Sequence, residues 1–296
     1  METGFARFHP AVQLLYFASV LSVTMMIMNP VLLVISGIGA ALYIAYSGGS
    51  GALFRYFKLT AFTSAMIIVI NPLISHKGVT VIAYLPDGNP LTVESIIFGI
   101  GAALMLSCIF AWFYSINRVF TSDKVICLFG DHMPKTALLI SMSLGFSGKF
   151  IKRFHDVRAV QKTLDCGSKK VSPIKRFKSA VTVFSIMIQW AMESSVDTAD
   201  SMKSRGYGLK KRTSYTVYRV FPRDIAFSVL ILLCDSAIAA AYLSNVLDYS
   251  YYPYFSLGTM SAFDIAVYFV FAALCVMPLV TDIREDVKWR SLRSKI

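Results

Sequence analysis

Charge is scarce in this chain of 296 residues. Only 16% of them are charged, where soluble domains carry about 25%. Acids are scarcer than bases, 17 against 29. The five cysteines, Cys108, Cys127, Cys166, Cys234 and Cys275, are odd in number and widely spaced, with no C-x-x-C pair. That pattern supports neither a disulfide framework nor a zinc site and reads as free thiols in apolar surroundings. The four histidines (His9, His76, His132, His155) are scattered and none has a partner at metal-ligand spacing. There is no H-E-x-x-H and no G-x-S-x-G. Gly145-Phe146-Ser147-Gly148-Lys149 ends like a P-loop, yet the first glycine spacing is missing and Phe150 stands where Ser or Thr must hold magnesium. A membrane enzyme is therefore poorly supported, and neither a metal nor a cofactor of the chain's own is expected.

What is abundant is apolar residue. The hydrophobic fraction is 56% and the mean hydropathy +0.60, which places the chain among integral membrane proteins. Spans of about 20 apolar residues are the unit to look for. Six are expected: 11–28, 31–47, 58–75, 92–119, 224–245 and 261–281. Asn29-Pro30 makes a tight turn between the first two, and Asn71-Pro72 interrupts the third near its end. The apolar run from Ala11 almost to Tyr46 is far longer than the core of a cleaved signal peptide.

Six spans put both termini on one side, and the bases say which. The segments on that side hold 28 of the 29 Lys and Arg residues, leaving Lys77 on the other. Both termini are thus expected in the cytoplasm. A net charge of +12 can suggest nucleic acid, but its location beside the membrane points to anionic lipid as the partner. On the outer side, "VTVIAYLPDGNPLT" (Val79–Thr92) alternates and then turns, which suggests either a small hairpin or an interfacial loop. "DYSYYPYF" (Asp248–Phe255) has the character of an interfacial aromatic belt. Glu94 and Asp264 sit at span ends and read as interfacial, whereas Asp235 lies within a span. An intramembrane acid either lines an ion path or hydrogen-bonds a neighbouring helix; the structural role is favoured.

The organisation that follows is residues 1–119 with four spans, a polar insert at 120–222, and residues 223–296 with two spans and a basic tail. The insert predicts two long helices. The first begins at Pro134, a good first-turn residue, and runs to about Leu164, with an apolar stripe at Phe150, Phe154, Val157, Val160 and Leu164. Lys149, Lys152, Arg153, Arg158 and Lys162 occupy its other faces. The second runs from Pro173 or Ser179 to Arg205. Its first half is apolar almost all round, so it is expected to be buried in protein or lipid. Its second half carries an acidic stripe, Glu193, Asp197 and Asp200, which is either a solvated face or a partner for the basic first helix.

The second helix closes in "ADSMKSRGY", Ala199 to Tyr207. Locally, Ser204-Arg205-Gly206 is a helix stop: Gly206 suits the left-handed C′ position, Tyr207 can supply the contact beyond it, and Arg205 complements the helix dipole. An arginine on a helix tip also suits docking, because a carboxylate in a partner's groove can receive the guanidinium as a fork.

The chain resembles the transmembrane T component of energy-coupling factor (ECF) transporters, the family that includes the permease subunits of cobalt uptake systems. The resemblance covers most of the chain: "RFHP" before the first span, "FTSDKVICLF" after the fourth, the two long helices, and an A-x-x-M-x-x-R-G-Y pattern matched at Ala199, Met202, Arg205, Gly206 and Tyr207. It implies an all-α membrane domain of about six spans with a cytoplasmic coupling domain of long helices. It further implies two ATPase partners that bind the ATP, each receiving a helix tip, and a substrate-binding S component for a vitamin or transition metal. The tip residues here would be Ser204, Arg205 and Gly206. The first tip aligns to Asp165-Cys166-Gly167, where cysteine replaces the arginine. Phe146, Phe150, Phe154, Phe184, Met187 and Trp190 would face the S component. The chain would be a non-catalytic subunit in a bacterial or archaeal cell membrane. The readings from other classes are a channel or enzyme acting through Asp235, and a scaffold whose basic insert binds lipid.

Overall fold

The computed structural model describes residues 4–75, 77–84, 90–130, 133–164, 173–209, 218, 220–244, 249–253, 256–257 and 261–293. Among them the α-helices are α1 (Pro10–Met26), α2 (Pro30–Gly48), α3 (Ser50–Ile74), α4 (Val93–Val119), α5 (Ser122–Gly130), α6 (Pro134–Leu164), α7 (Pro173–Ser204), α8 (Pro222–Leu243) and α9 (Ala262–Arg293). The chain divides into two compact units. One is Met1–Val125 with Tyr218–Ile296, and the other is Ile126–Val217.

The first unit is an all-α bundle of membrane type. Five of its helices, α2, α3, α4, α8 and α9, are long and apolar enough to cross a bilayer. The helix α1 is apolar but has 17 residues, about 25 Å, at the short end of what a hydrocarbon core requires. Sequence chemistry sets the helix starts. Pro10 and Pro30 occupy first-turn positions, and the preceding His9 and Asn29 accept from the backbone N–H of Ala11 (3.2 Å) and Val31 (3.0 Å). Asp224 and Asp264 do the same for α8 and α9, each accepting from the backbone N–H three residues earlier.

Two spans differ from expectation. The third helix starts at Ser50 rather than 58 and takes in Arg55 and Lys58. The Gly-rich segment Ser47–Ala52 is almost all helical; only Gly49, at φ +72°, leaves the helix and lets the chain reverse. The last helix continues past residue 281 to Arg293, so the basic tail is its own extension. The short α5 was not anticipated. The expected hairpin is present as β1 (Val81–Tyr84) paired antiparallel with β2 (Pro90–Thr92).

The helices α2 and α4 sit at the centre: α2 packs on α3, α4 and α9, and α4 packs on α1, α2 and α3. Helices without a hydrophobic drive between them are held by close packing and interhelical hydrogen bonds. Trp112 of α4 donates its indole N–H to Ser36 of α2 (2.9 Å), which meets Thr24 of α1 (3.2 Å). Tyr16 of α1 donates to the carbonyl of Leu274 in α9 (3.1 Å). Outward apolar side chains such as Phe54, Phe62 and Met66 of α3, and Leu232 and Leu233 of α8, remain exposed. That is what a lipid-facing perimeter requires.

The tyrosine-rich segment between α8 and α9 departs from a plain interfacial belt. Tyr251 is buried, donates to the carbonyl of Met28 (2.9 Å) and sits edge-on to Phe98. It is a core residue. Tyr254 lies outside the described residues.

Small residues permit the central contacts. A Cβ on Gly39 of α2 would stand 2.8 Å from Cys275 Cβ, so Gly39→Ala forces α2 and α9 apart. The expected cost is about 1–3 kcal/mol, read as a lowered melting temperature of the detergent-solubilised protein; an unchanged melt would contradict the contact.

Candidate functional site

The second unit is built on α6 and α7. Val183, Met187 and Trp190 recur at helical spacing on one face of α7 and are buried or half-buried. Trp190 stacks on Phe146 of α6 at 5.2 Å with the rings 19° apart, and Phe150 and the Arg153 guanidinium approach the same indole. From this stack there are 18 residues to Leu164 and 17 back to Pro173, each about 26 Å of helix. The nine steps between Leu164 and Pro173 reach about 31 Å at most. A parallel arrangement would set those ends about 52 Å apart, so α6 and α7 form an antiparallel hairpin.

That geometry decides between the two readings of the acidic stripe. Beyond Trp190, α7 runs beside the part of α6 that precedes Phe146. The acidic stripe Glu193, Asp197 and Asp200 therefore lies away from Lys149–Lys162. All three acids are exposed, and the ion pair among them is local, Asp200 with Lys203 at 3.9 Å. The stripe is a solvated face, where such pairs contribute little.

The six aromatic and methionine residues expected to face a partner separate into two groups. Met187, at 1% exposure, is core, and Phe146 and Trp190 hold the hairpin together. Phe150, Phe154 and Phe184 stay exposed.

The end of α7 is a Schellman cap. Gly206 has φ +84°, the Tyr207 N–H donates to the carbonyl of Met202 (3.0 Å) and the Gly206 N–H to that of Lys203 (3.0 Å). Arg205 is the residue between the last helical turn and the left-handed glycine; it is exposed, as are Ala199 and Tyr207. The Ser204 hydroxyl turns back to the carbonyl of Ser201 (2.8 Å). The cap spends backbone groups only, so the Arg205 side chain is not consumed by the helix stop. The other tip, Asp165, Cys166 and Gly167, lies outside the described residues, as do His76 and His132.

Sequence reasoning missed a buried polar node in the first unit. Lys124, at 5% exposure on α5, donates its ammonium to the carbonyls of Ala6 (2.8 Å) and Val119 (2.7 Å) and to Gln13 Oε1 (3.0 Å). Gln13 is fully buried, and its amide N–H groups donate to the carbonyls of Phe5 and Phe8 (both 2.9 Å). The Phe5 N–H donates to Asp282 of α9 (2.5 Å). Nearby, Glu285 accepts Arg7 (3.5 Å) and Arg223 (3.9 Å). The only sequence signal was a lysine five residues after a span and within the quoted "FTSDKVICLF".

Asp235 accepts a hydrogen bond from Ser19 of α1 (2.5 Å) and so joins α8 to α1. Among the described residues, no group of three or more His, Cys, Asp or Glu could hold a metal ion. No protein-family model matches the chain, and no curated protein matches it.

The tip and the node make opposite stability predictions. Lys124→Met strips buried acceptors of their donor, at about 1–3 kcal/mol for each group left unpaired. Arg205→Ala on an exposed cap is expected within about 0.5 kcal/mol of the parent. Denaturation in detergent distinguishes them, and equal losses would contradict the assignment.

Proposed function

We propose that this chain is the transmembrane coupling subunit, the T component, of an ECF-type importer. The observation that carries the reading is Arg205: an exposed guanidinium on a Schellman-capped helix end, inside the Ala199, Met202, Arg205, Gly206, Tyr207 pattern. Supporting it are the bundle of apolar helices and a separate helical hairpin with exposed aromatic side chains. The reading rests on those residues and on the order of the helices.

In this role the first unit sits in a bacterial or archaeal cell membrane as six spans, with both termini and the hairpin in the cytoplasm. Two ATPase subunits bind and hydrolyse ATP. Arg205 docks into a groove on one of them and meets a carboxylate there. The exposed Phe150, Phe154 and Phe184 supply part of the surface for an S component, which carries the vitamin or metal ion. Coupling is asymmetric, because Cys166 stands where the first tip would need its arginine.

A second reading, a channel or enzyme acting through Asp235, has less support: the Ser19 hydrogen bond gives that acid a helix-holding task.

Tagged protein co-expressed with its chromosomal neighbours and purified in detergent tests the proposal. Wild type is expected to recover ATP-binding subunits, Arg205→Glu to lose them, and Cys166→Ala to retain them. Recovery that survives Arg205→Glu, or no ATPase with wild type, overturns it.

A further inference from the structure

The closed end of the hairpin differs from the rest of the second unit. The side chains of Val160 and Leu164 on α6, and of Ile174 and Phe177 on α7, are each 61–79% exposed. The antiparallel arrangement puts all four on the same side of the Phe146–Trp190 stack. Five exposed bases lie among them: Arg158, Lys162, Lys175, Arg176 and Lys178. Over the described residues 157–164 and 173–192 there is no Asp or Glu. The acids of α7, Glu193, Asp197 and Asp200, all lie on the far side of the Phe146–Trp190 stack. With Asp156 as the one described acid of α6 on that side, the hairpin carries an excess of base and exposed apolar surface at one end, and the acids of α7 lie towards the other.

The apolar positions are not accidental. Ile174, Phe177, Val181, Phe184 and Ile188 repeat at three- and four-residue intervals, and all five are exposed. They form a second stripe on α7, apart from the Val183–Met187–Trp190 stripe that meets α6. Neither α6 nor α7 is apolar enough to cross a bilayer, so these are not the side chains of a spanning helix. A helix that combines exposed large apolar residues with a cluster of Lys and Arg is built to lie in a membrane interface, its apolar face among the acyl chains and its bases at the headgroups. Four to eight bases on such a helix suit anionic headgroups in particular.

We propose that the closed end of the α6–α7 hairpin docks on the surface of an anionic bilayer. Ile174 and Phe177 enter the headgroup boundary, and Lys175, Arg176 and Lys178 meet lipid phosphates. The long stems of the lysines reach outward while their methylenes cover apolar surface. This goes beyond the coupling role and does not depend on it, since it concerns the end of the hairpin away from Arg205 and needs no partner protein.

The test uses the full chain alone, reconstituted into lipid nanodiscs of phosphatidylcholine or of phosphatidylcholine with roughly one-third phosphatidylglycerol. Amide hydrogen exchange is followed over residues 174–181, with residues 186–191 beside the Trp190 stack as the internal control. Exchange over 174–181 is expected to be about tenfold slower in the anionic bilayer, with the control unchanged. The combined Lys175→Gln, Arg176→Gln, Lys178→Gln variant should remove that difference, and Phe177→Ser, which keeps the charge, should reduce it. Fast exchange in both bilayers overturns the proposal. So does equally slow exchange in both, which would mean that something other than anionic lipid covers the face. ATPase recovery is not part of this readout, so failure here leaves the coupling role standing, and the reverse.

Discussion

The structure turns on one buried ammonium. Burying a charge costs several kcal/mol unless its protons find partners, and Lys124 finds the carbonyls of Ala6 and Val119 and the amide oxygen of Gln13. Those partners come from the segment before α1, from the end of α4 and from α1 itself. Gln13 then spends its own N–H groups on Phe5 and Phe8, and Phe5 reaches Asp282 of α9. One lysine thus ties the first residues of the chain to the end of α4 and the start of α5, with the last helix one bond further on. The aromatic cluster of Phe5, Tyr16, Phe17 and Trp112 packs around the same residues. The start of α5, immediately before the second unit begins at Ile126, is a fixed point in the bundle.

Much of the fold was legible because its signals are local. Apolar runs of span length, Pro after His9 and Asn29, and Pro134 and Gly206 at the ends of the long helices each act within a few residues. The hairpin at Val81–Thr92 announced itself by alternation and a turn. The start of α3 was misplaced because an apolar run ends at charges such as Arg55 and Lys58, while the helix itself runs through them from Ser50. The extension of α9 was missed because charge marks the end of a span, not the end of a helix.

The candidate site was legible in part. The Arg205–Gly206 cap follows from chemistry within six residues, and its backbone bonds are those the sequence predicts. The node was not legible, because Lys124, Gln13 and Asp282 are far apart in sequence and a lysine beside a span reads as an interfacial charge. The acidic stripe of α7 was open to two readings for a related reason. Helical spacing puts Glu193, Asp197 and Asp200 on one face, but only the register fixed by Phe146 and Trp190 says what that face meets.

The same register explains why the first half of α7 looks apolar all round. It carries two stripes with different tasks. One, Val183, Met187 and Trp190, is used up in joining α6, and its rings lock the two helices at mid-length. The other, Ile174 to Ile188, is left outside. A helix joined only along its inner stripe can keep a second apolar face in water only if charge nearby holds it soluble or if something covers it. Lys175, Arg176 and Lys178 do the first, and their sign selects an anionic surface for the second. The far end of α7 differs: acids and small residues surround the exposed Met192 and Val196, and the helix closes on a backbone cap. The side chain exposed there is Arg205, a single directional charge, while the opposite end offers a broad basic and greasy face. A single guanidinium fits a defined carboxylate, and a diffuse basic face fits a fluid layer of phosphates. The two ends of one hairpin are thereby suited to different kinds of surface.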